Sequence, residues 1–359
     1  MASKLLVALV VCAILLSNFA DAKPRQRKQK KSGNAVKFTN YGPFFSLPVV
    51  VGSQKTKLNV GVDGFYGSSV VYGPGAACDG SDSYCVQHDT FDQTKSSSFK
   101  PASNGREFEF TLGTAHGVSG GDDYSVGSLS LKDTMFGILT SIPRYLNRKT
   151  KNSGHIAMWS PKDAEDDKTT MQKLVELNSV KTVTFSAPSD SNGLHTVTFG
   201  GDDTKNCKKF TSYPNQPHLS KDEEISPWTI QFSSFKWGSY SKTEAVNIAM
   251  NVASDYFVAP KRHANYIYNQ LGAKYNYDYS GGMVDCSKRS SAPNLEFSAN
   301  GKTYVVTPNQ YIKAFDSSNC LLNIYPDELN QWTLPYMFHQ TYCVKYDYGA
   351  KTVGIADKK

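Results

Sequence analysis

Gly117-Val118-Ser119-Gly120-Gly121 has the Gly-x-Ser-x-Gly spacing that lifts a nucleophilic serine onto a strand-to-helix turn. That elbow requires a helix directly after it. Asp122-Asp123-Tyr124-Ser125-Val126 follows instead, a poor helix start that leads into strand-like sequence. The motif is therefore expected at a hairpin tip and not at an active serine. Paired carboxylates offer a second chemistry, and Asp122-Asp123, Asp166-Asp167 and Asp202-Asp203 are the adjacent pairs. Neighbouring side chains on a strand point to opposite faces, and no calcium-loop spacing surrounds them. They are expected to be turn residues. The histidines are scattered without a His-x-x-x-His pair, and there is no Cys-x-x-Cys. Neither a metal site nor a cofactor is expected.

The elements that must carry any site read as strands. Thr56–Val62, Glu107–Leu112, Thr182–Ser186, Thr196–Gly200, Trp228–Phe235 and Lys302–Thr307 are alternating, β-branched or aromatic. Gly, Ser, Asp and Asn clusters separate them. Helical spacing is confined to Thr169–Ser179, with Met171, Leu174 and Val175, and to Pro260–Leu271, which opens on proline. At 39% hydrophobic and 20% charged, the 359 residues exclude wholesale disorder, collagen and coiled coil. The length suggests two units, each able to bury a core. Many short strands with few helices predict an all-β, two-lobed protein, with a connection near 187–193.

The N-terminus reads as a secretory signal over residues 1–22. Lys4 precedes an apolar run from Leu5 to Leu16, and Ala20-Asp21-Ala22 supplies small cleavage-site residues. The run is too short for a membrane anchor, and no later run spans a bilayer. Lys23, Arg25, Arg27, Lys28, Lys30 and Lys31 supply nearly all of the net charge of +7. The basic character thus belongs to a solvated tail over 23–35, with polyanion binding through Lys23–Lys31 as its alternative use. A near-neutral body on a secreted chain argues against a nucleic-acid partner. Cys12 leaves with the signal, and Cys78, Cys85, Cys207, Cys286, Cys320 and Cys343 remain. An even number in a secreted chain suggests disulfides, with connectivity open.

From Leu47 to Asp357 the chain resembles the pepsin-like aspartic proteases. Gly67-Ser68-Ser69-Val70-Val71-Tyr72-Gly73-Pro74 is similar to the segment after the family's first catalytic aspartate. Phe91–Phe99 matches its Phe-Asp-Pro-x-x-Ser-Ser-Thr-Tyr block, and Trp332–Asp347 aligns without gaps on its Trp-Ile-Leu-Gly-Asp block. Val353-Gly354-Ile355-Ala356 closes the chain as the family does. The resemblance implies the disulfides Cys78–Cys85, Cys286–Cys320 and, as in nematode-type members, Cys207–Cys343. It implies an N-terminal lobe over 36–187, a C-terminal lobe over 188–359 and a cleft between them. It also sets a prosegment expectation that residues 23–35 are too short to meet.

The family's reaction needs two carboxylates sharing one proton, one acting as base toward water and the other polarising the scissile carbonyl. In the second loop, Ala249–Pro260 aligns without gaps, and the aspartate position holds Asn251. An amide has no titratable proton to share. Val252 replaces the threonine, and Ala253 the glycine. In the first loop, counting from Gly52 puts Asp63 on the catalytic position, and counting back from Gly67-Ser68-Ser69 puts Phe65 there. The loop resembles the family's with two residues inserted, and its threonine is gone under either count. The flap tyrosine position is Leu112, the tryptophan that contacts it is Tyr72, and the glycine of the Trp-Ile-Leu-Gly block is Pro335. Its N-lobe counterpart is Ala157. These departures predict a secreted, catalytically inactive homologue that binds a ligand in or near the inter-lobe cleft, with a peptide, a carbohydrate or another protein's strand all open. The alternatives are an active acidic endopeptidase using Asp63, alone or with Asp255, and a polyanion-binding surface protein.

Overall fold

In the segment Ser46–Val51, Leu47, Val49 and Val51 are buried while Pro48 is exposed. That is the period-2 pattern of a strand with one face on a core. The same logic builds most of the chain. The computed structural model describes residues 34–39, 45–78, 88–110, 113–142, 152–164, 168–186, 194–219, 225–276 and 281–359.

Strand β1 (Asn34–Thr39) opens the described chain. A seven-stranded sheet follows from β2 (Ser46–Val51), β3 (Thr56–Asp63), β4 (Val70–Cys78), β5 (Lys100–Phe110), β6 (Gly113–Val126), β7 (Leu129–Ile142) and β8 (Gly154–Ala157). Its order is β2-β3-β8-β4-β7-β6-β5, and β2 also pairs with β6. Helix α1 (Thr170–Leu177) packs on it. The chain then makes β9 (Thr182–Ser186), β10 (Leu194–Phe199) and β11 (Thr211–Pro214).

The C-terminal lobe runs through β12 (Thr229–Phe232), β13 (Ser234–Trp237), β14 (Tyr240–Lys242), β15 (Val246–Met250), β16 (Phe257–Pro260), helix α2 (Lys261–Leu271), β17 (Lys274–Asn276) and β18 (Gly281–Asp285). It continues through β19 (Leu295–Ala299), β20 (Lys302–Val306), the short helix α3 (Pro308–Tyr311), β21 (Ile312–Ala314), β22 (Asn319–Leu322), β23 (Ile324–Asp327) and β24 (Gln331–Leu334). These strands form a five-stranded sheet, β12-β15-β24-β16-β23, and two four-stranded sheets. Helix α4 (Tyr336–Thr341) leads into β25 (Tyr342–Asp347) and β26 (Thr352–Asp357). The last two strands join β1, β9, β10 and β11 in a six-stranded sheet ordered β1-β10-β9-β25-β26-β11. Residues from both halves of the chain thus share one sheet. Segment 187–193, expected to connect the halves, lies outside the described residues, and its flanking strands β9 and β10 pair antiparallel within that sheet.

Each lobe has its own aromatic centre. Phe91 and Phe136 meet in the N-terminal lobe with ring centres 5.7 Å apart. Phe235, Phe297 and Trp332 cluster in the other, with Trp332 4.7 Å from Phe235. The Trp332 indole donates to His263 Nδ1 at 3.1 Å, so this buried polar tip is satisfied.

Three sequence expectations fail for physical reasons. Gly117–Gly121 is not a hairpin tip; it lies inside β6, paired on both sides with β5 and β7. Glycine is needed there by close approach: a Cβ at Gly117 would sit 2.3 Å from the Ile138 carbonyl oxygen, and one at Gly120 2.3 Å from the Phe99 ring. Asp122 is likewise in β6 and not in a turn, fully buried beside a β-bulge, where it accepts the Ser98 hydroxyl at 2.5 Å. Asp202-Asp203 does lie in a turn, with Asp203 accepting the Asn206 N–H, and Asp166-Asp167 lies outside the described residues. The single strand expected over Trp228–Phe235 divides at Ser233, whose N–H and hydroxyl both go to the Ser298 carbonyl.

Candidate functional site in two matching loops

The two lobes repeat one crossing. In the first, β3 runs parallel to β8 and β4 runs antiparallel to the same strand, so His155 stands opposite both Gly61 and Val70. In the second, β15 runs parallel to β24 and β16 antiparallel to it, so Thr333 stands opposite both Ala249 and Val258. Two residues beyond Gly61 is Asp63, and two beyond Ala249 is Asn251. Each lies seven residues before the return strand's bridge. The strand register therefore sets Asp63, and not Phe65, as the positional counterpart of Asn251.

Both side chains are anchored by their own loops. Asp63 is 1% exposed, and its Oδ1 accepts the N–H groups of Phe65 at 2.9 Å and Tyr66 at 3.1 Å. Asn251 is 4% exposed, and its Oδ1 accepts the Ala253 N–H at 3.0 Å. The loops abut across the lobes. A Cβ at Gly64 would lie 3.3 Å from the Met250 carbonyl and 3.5 Å from the Val252 side chain. Neither Gly64 nor Val252 has a hydroxyl, so neither side chain can hydrogen-bond across the contact.

Phe65 and Tyr66 enter the space beside Asn251. With His218, Tyr256, Val258, Tyr325, Asp327 and Thr333 among their neighbours, they line a cavity of about 210 Å³. Phe65 meets His218 edge-on at 5.6 Å, and its carbonyl accepts the Trp159 indole at 2.9 Å. Tyr66 forms a β-bridge with Ile225. Gly67 is required because a Cβ there would sit 2.4 Å from the Trp159 ring. His155 is buried at the base of the N-terminal crossing. Burial pushes its pKa below the ordinary value, and the Asp63 charge works the other way. Burial holds His218 down to about 4, again opposed by an acid, Asp327.

Tyr72 is fully buried with its ring edge-on to His88 at 4.9 Å. Its hydroxyl has no hydrogen-bond partner among the described residues, and burial pushes its pKa up. Leu112 lies outside the described residues, as do Cys85 and the Cys78 side chain, so the Cys78–Cys85 bond does too. Cys207 is bonded to Cys343 and Cys286 to Cys320. Asp255 does not line the cavity. Its carbonyl takes the Asn323 amide, and its charge acts on Lys313. Among the described residues no cluster of three His, Cys, Asp or Glu side chains is placed to hold a metal, and no helix is long and apolar enough to cross a membrane.

Sequence reasoning missed His155 and Trp159. Both sit just past Gly154, in the block aligned with Pro335, where a histidine in an otherwise apolar run was the available signal. It also missed His218, Tyr256 and Tyr325, which no local pattern marks.

Residues 44–358 match the family described as eukaryotic aspartyl protease. The chain is 26% identical to vacuolar protease A of Neurospora crassa, an alignment covering 91% of this chain and 82% of that protein. It is 25% identical to aspartic protease 1 of Caenorhabditis elegans, over 78% of this chain and 72% of the relative. Human gastricsin is 24% identical over 81% and 76% respectively. With the sheet order, the repeated crossing and a match over most of its length, this chain belongs to the eukaryotic aspartyl protease family.

Proposed function

We propose that this chain is a catalytically inactive aspartic-protease homologue, secreted or lumenal, that binds an extended peptide in the inter-lobe cleft. One observation carries the reading: Asn251 stands where strand register demands a partner for Asp63. An acid–base pair needs one group to hold the proton and the other to take one. An amide does neither at any ordinary pH. The missing hydroxyls at Gly64 and Val252 support the same reading, since no side-chain hydroxyl is there to tie the two loops together. The cavity beside Asn251 retains the aromatic lining that suits an apolar peptide side chain. Disulfides support a site of action outside the reducing cytosol.

The test uses a fluorescent peptide mixture from casein at pH 6, read by anisotropy, with recovered peptides sized by mass spectrometry. Saturable binding with peptides recovered intact is the expected result. Tyr325→Arg should weaken it by placing a charge in the cavity. Peptides recovered cut, or the absence of saturable binding, would overturn the reading at its catalytic or its ligand half respectively.

A further inference from the structure

A second cavity, of about 310 Å³, is lined in part by Gly67, Ser68 and Ser69, which follow Asp63 in the chain. Its walls also include Arg106 and Phe108 from β5, Ser119 from β6, Thr134 from β7, and Lys168 and Lys173 around the start of α1. Among the described residues three cationic side chains line it and no carboxylate does. The remaining polar lining is hydroxyl, which can donate to an anion as readily as it accepts. Positive charge in a concave, low-dielectric site focuses field on whatever occupies it.

Two of the cations, Arg106 and Lys168, have defined contacts. Arg106 lies over the Phe108 ring at 4.8 Å and reaches the Glu107 carbonyl at 3.5 Å. Both contacts leave guanidinium donors to spare. Lys168 is largely buried and pairs at 2.8 Å with Glu176, which does not line the cavity. Ser69 is occupied structurally, its hydroxyl accepting the Ala157 N–H at 2.9 Å. Ser68, Ser119, Thr134, Thr169 and Thr170 complete the hydroxyl set, the Thr169 oxygen also accepting the Gln172 N–H.

From this lining we propose that the cavity is a binding site for a tetrahedral oxyanion, the phosphate or sulfate group of a monoester. A guanidinium fork pairs two oxygens of such a group at once. The two lysines and the hydroxyls serve the remaining oxygens. The site is separate from the cavity at Asn251 and does not depend on whether the dyad position is active.

The test is calorimetric titration of the full-length secreted protein with inorganic phosphate and, separately, inorganic sulfate, at pH 7 and low ionic strength. One saturable site per chain is expected, weakened at least about tenfold in Arg106→Gln and in Lys173→Gln, and weakened by added salt. Lys274→Gln, an exposed cation on β17 in the other lobe, should bind as the parent does. Melting curves of each variant without anion report whether it folds. Tighter phosphate points to a phosphate ester and tighter sulfate to a sulfate ester. No saturable heat, or equal binding by Arg106→Gln and Lys173→Gln, overturns the proposal.

Discussion

The Asp63 loop and the Asn251 loop occupy the same place in two copies of one crossing, and they have changed in different ways. The first holds a carboxylate, Asp63, and carries Phe65 and Tyr66 into the cavity, with Gly64 beside the acid. The second holds an amide, Asn251, with Val252 beside it. Their supports differ in the same sense. Ala157 donates its N–H to the Ser69 hydroxyl; its counterpart Pro335 has no N–H to donate, and Phe257, the counterpart of Ser69, has no acceptor. Gly154 lets β4 cross closely; its counterpart Trp332 instead fills the C-terminal core. The matching frame is held by strand pairing and burial. The chemistry, which rests on a few loop side chains, does not follow automatically from the frame.

The largest effects should come from the crossings. Gly154 has φ +143°, and a Cβ there would lie 2.1 Å from the Val70 carbonyl oxygen. Gly154→Ala should therefore destabilise the N-terminal lobe by more than about 3 kcal/mol, read as a lowered denaturant midpoint or loss of soluble protein. At the matching position, Trp332→Ala should cost about 3–5 kcal/mol by leaving a cavity and orphaning His263. Equal tolerance of both changes would break the comparison.

The next effect is on pH. Burial holds His339 down to about 3, and His195 and His263 to about 4. In the unfolded chain each titrates near ~6.5. Below that pH the unfolded state takes up protons that the folded state refuses, so stability is present above ~6.5 and falls as pH drops toward the folded values. Urea denaturation at successive pH values should show this loss. His339→Leu should flatten the slope by up to about 1.4 kcal/mol per pH unit between pH 6 and 4. A slope unchanged in that variant would count against a neutral buried His339.

The smallest stability effect is expected at the loop itself. Asn251→Asp preserves the acceptor used by Ala253 and, at acid pH where the new buried carboxyl is protonated, should shift stability by less than about 1 kcal/mol. It should also leave acid proteolysis undetected, because Gly64 and Val252 still lack hydroxyls. Strong activity from this single change would show that the first loop is intact in function, and that Asn251 alone separates the two.

Much of the fold was legible in the sequence because it rests on strand periodicity and on spaced blocks. Thr182–Ser186 is a strand as read, and α1 and α2 fall within the expected helical stretches. The sequence alone left Asp63 and Phe65 both open, since an insertion shifts the count from either side. Only the pairing of β3 and β4 with His155 decides between the two counts. The glycines of β6 misled for a related reason: a turn and a close strand crossing call for the same residue. Cavity walls such as His218 and Tyr325 come from distant segments and carry no local pattern.

The central claim is the loss of the shared proton at Asp63 and Asn251. The direct measurement is cleavage of an acid-protease substrate by the purified protein at pH 3–5, with and without pepstatin, and with circular dichroism at the same pH confirming that it is folded. The account predicts no pepstatin-sensitive cleavage from folded protein. Pepstatin-sensitive cleavage that disappears in Asp63→Asn would contradict it.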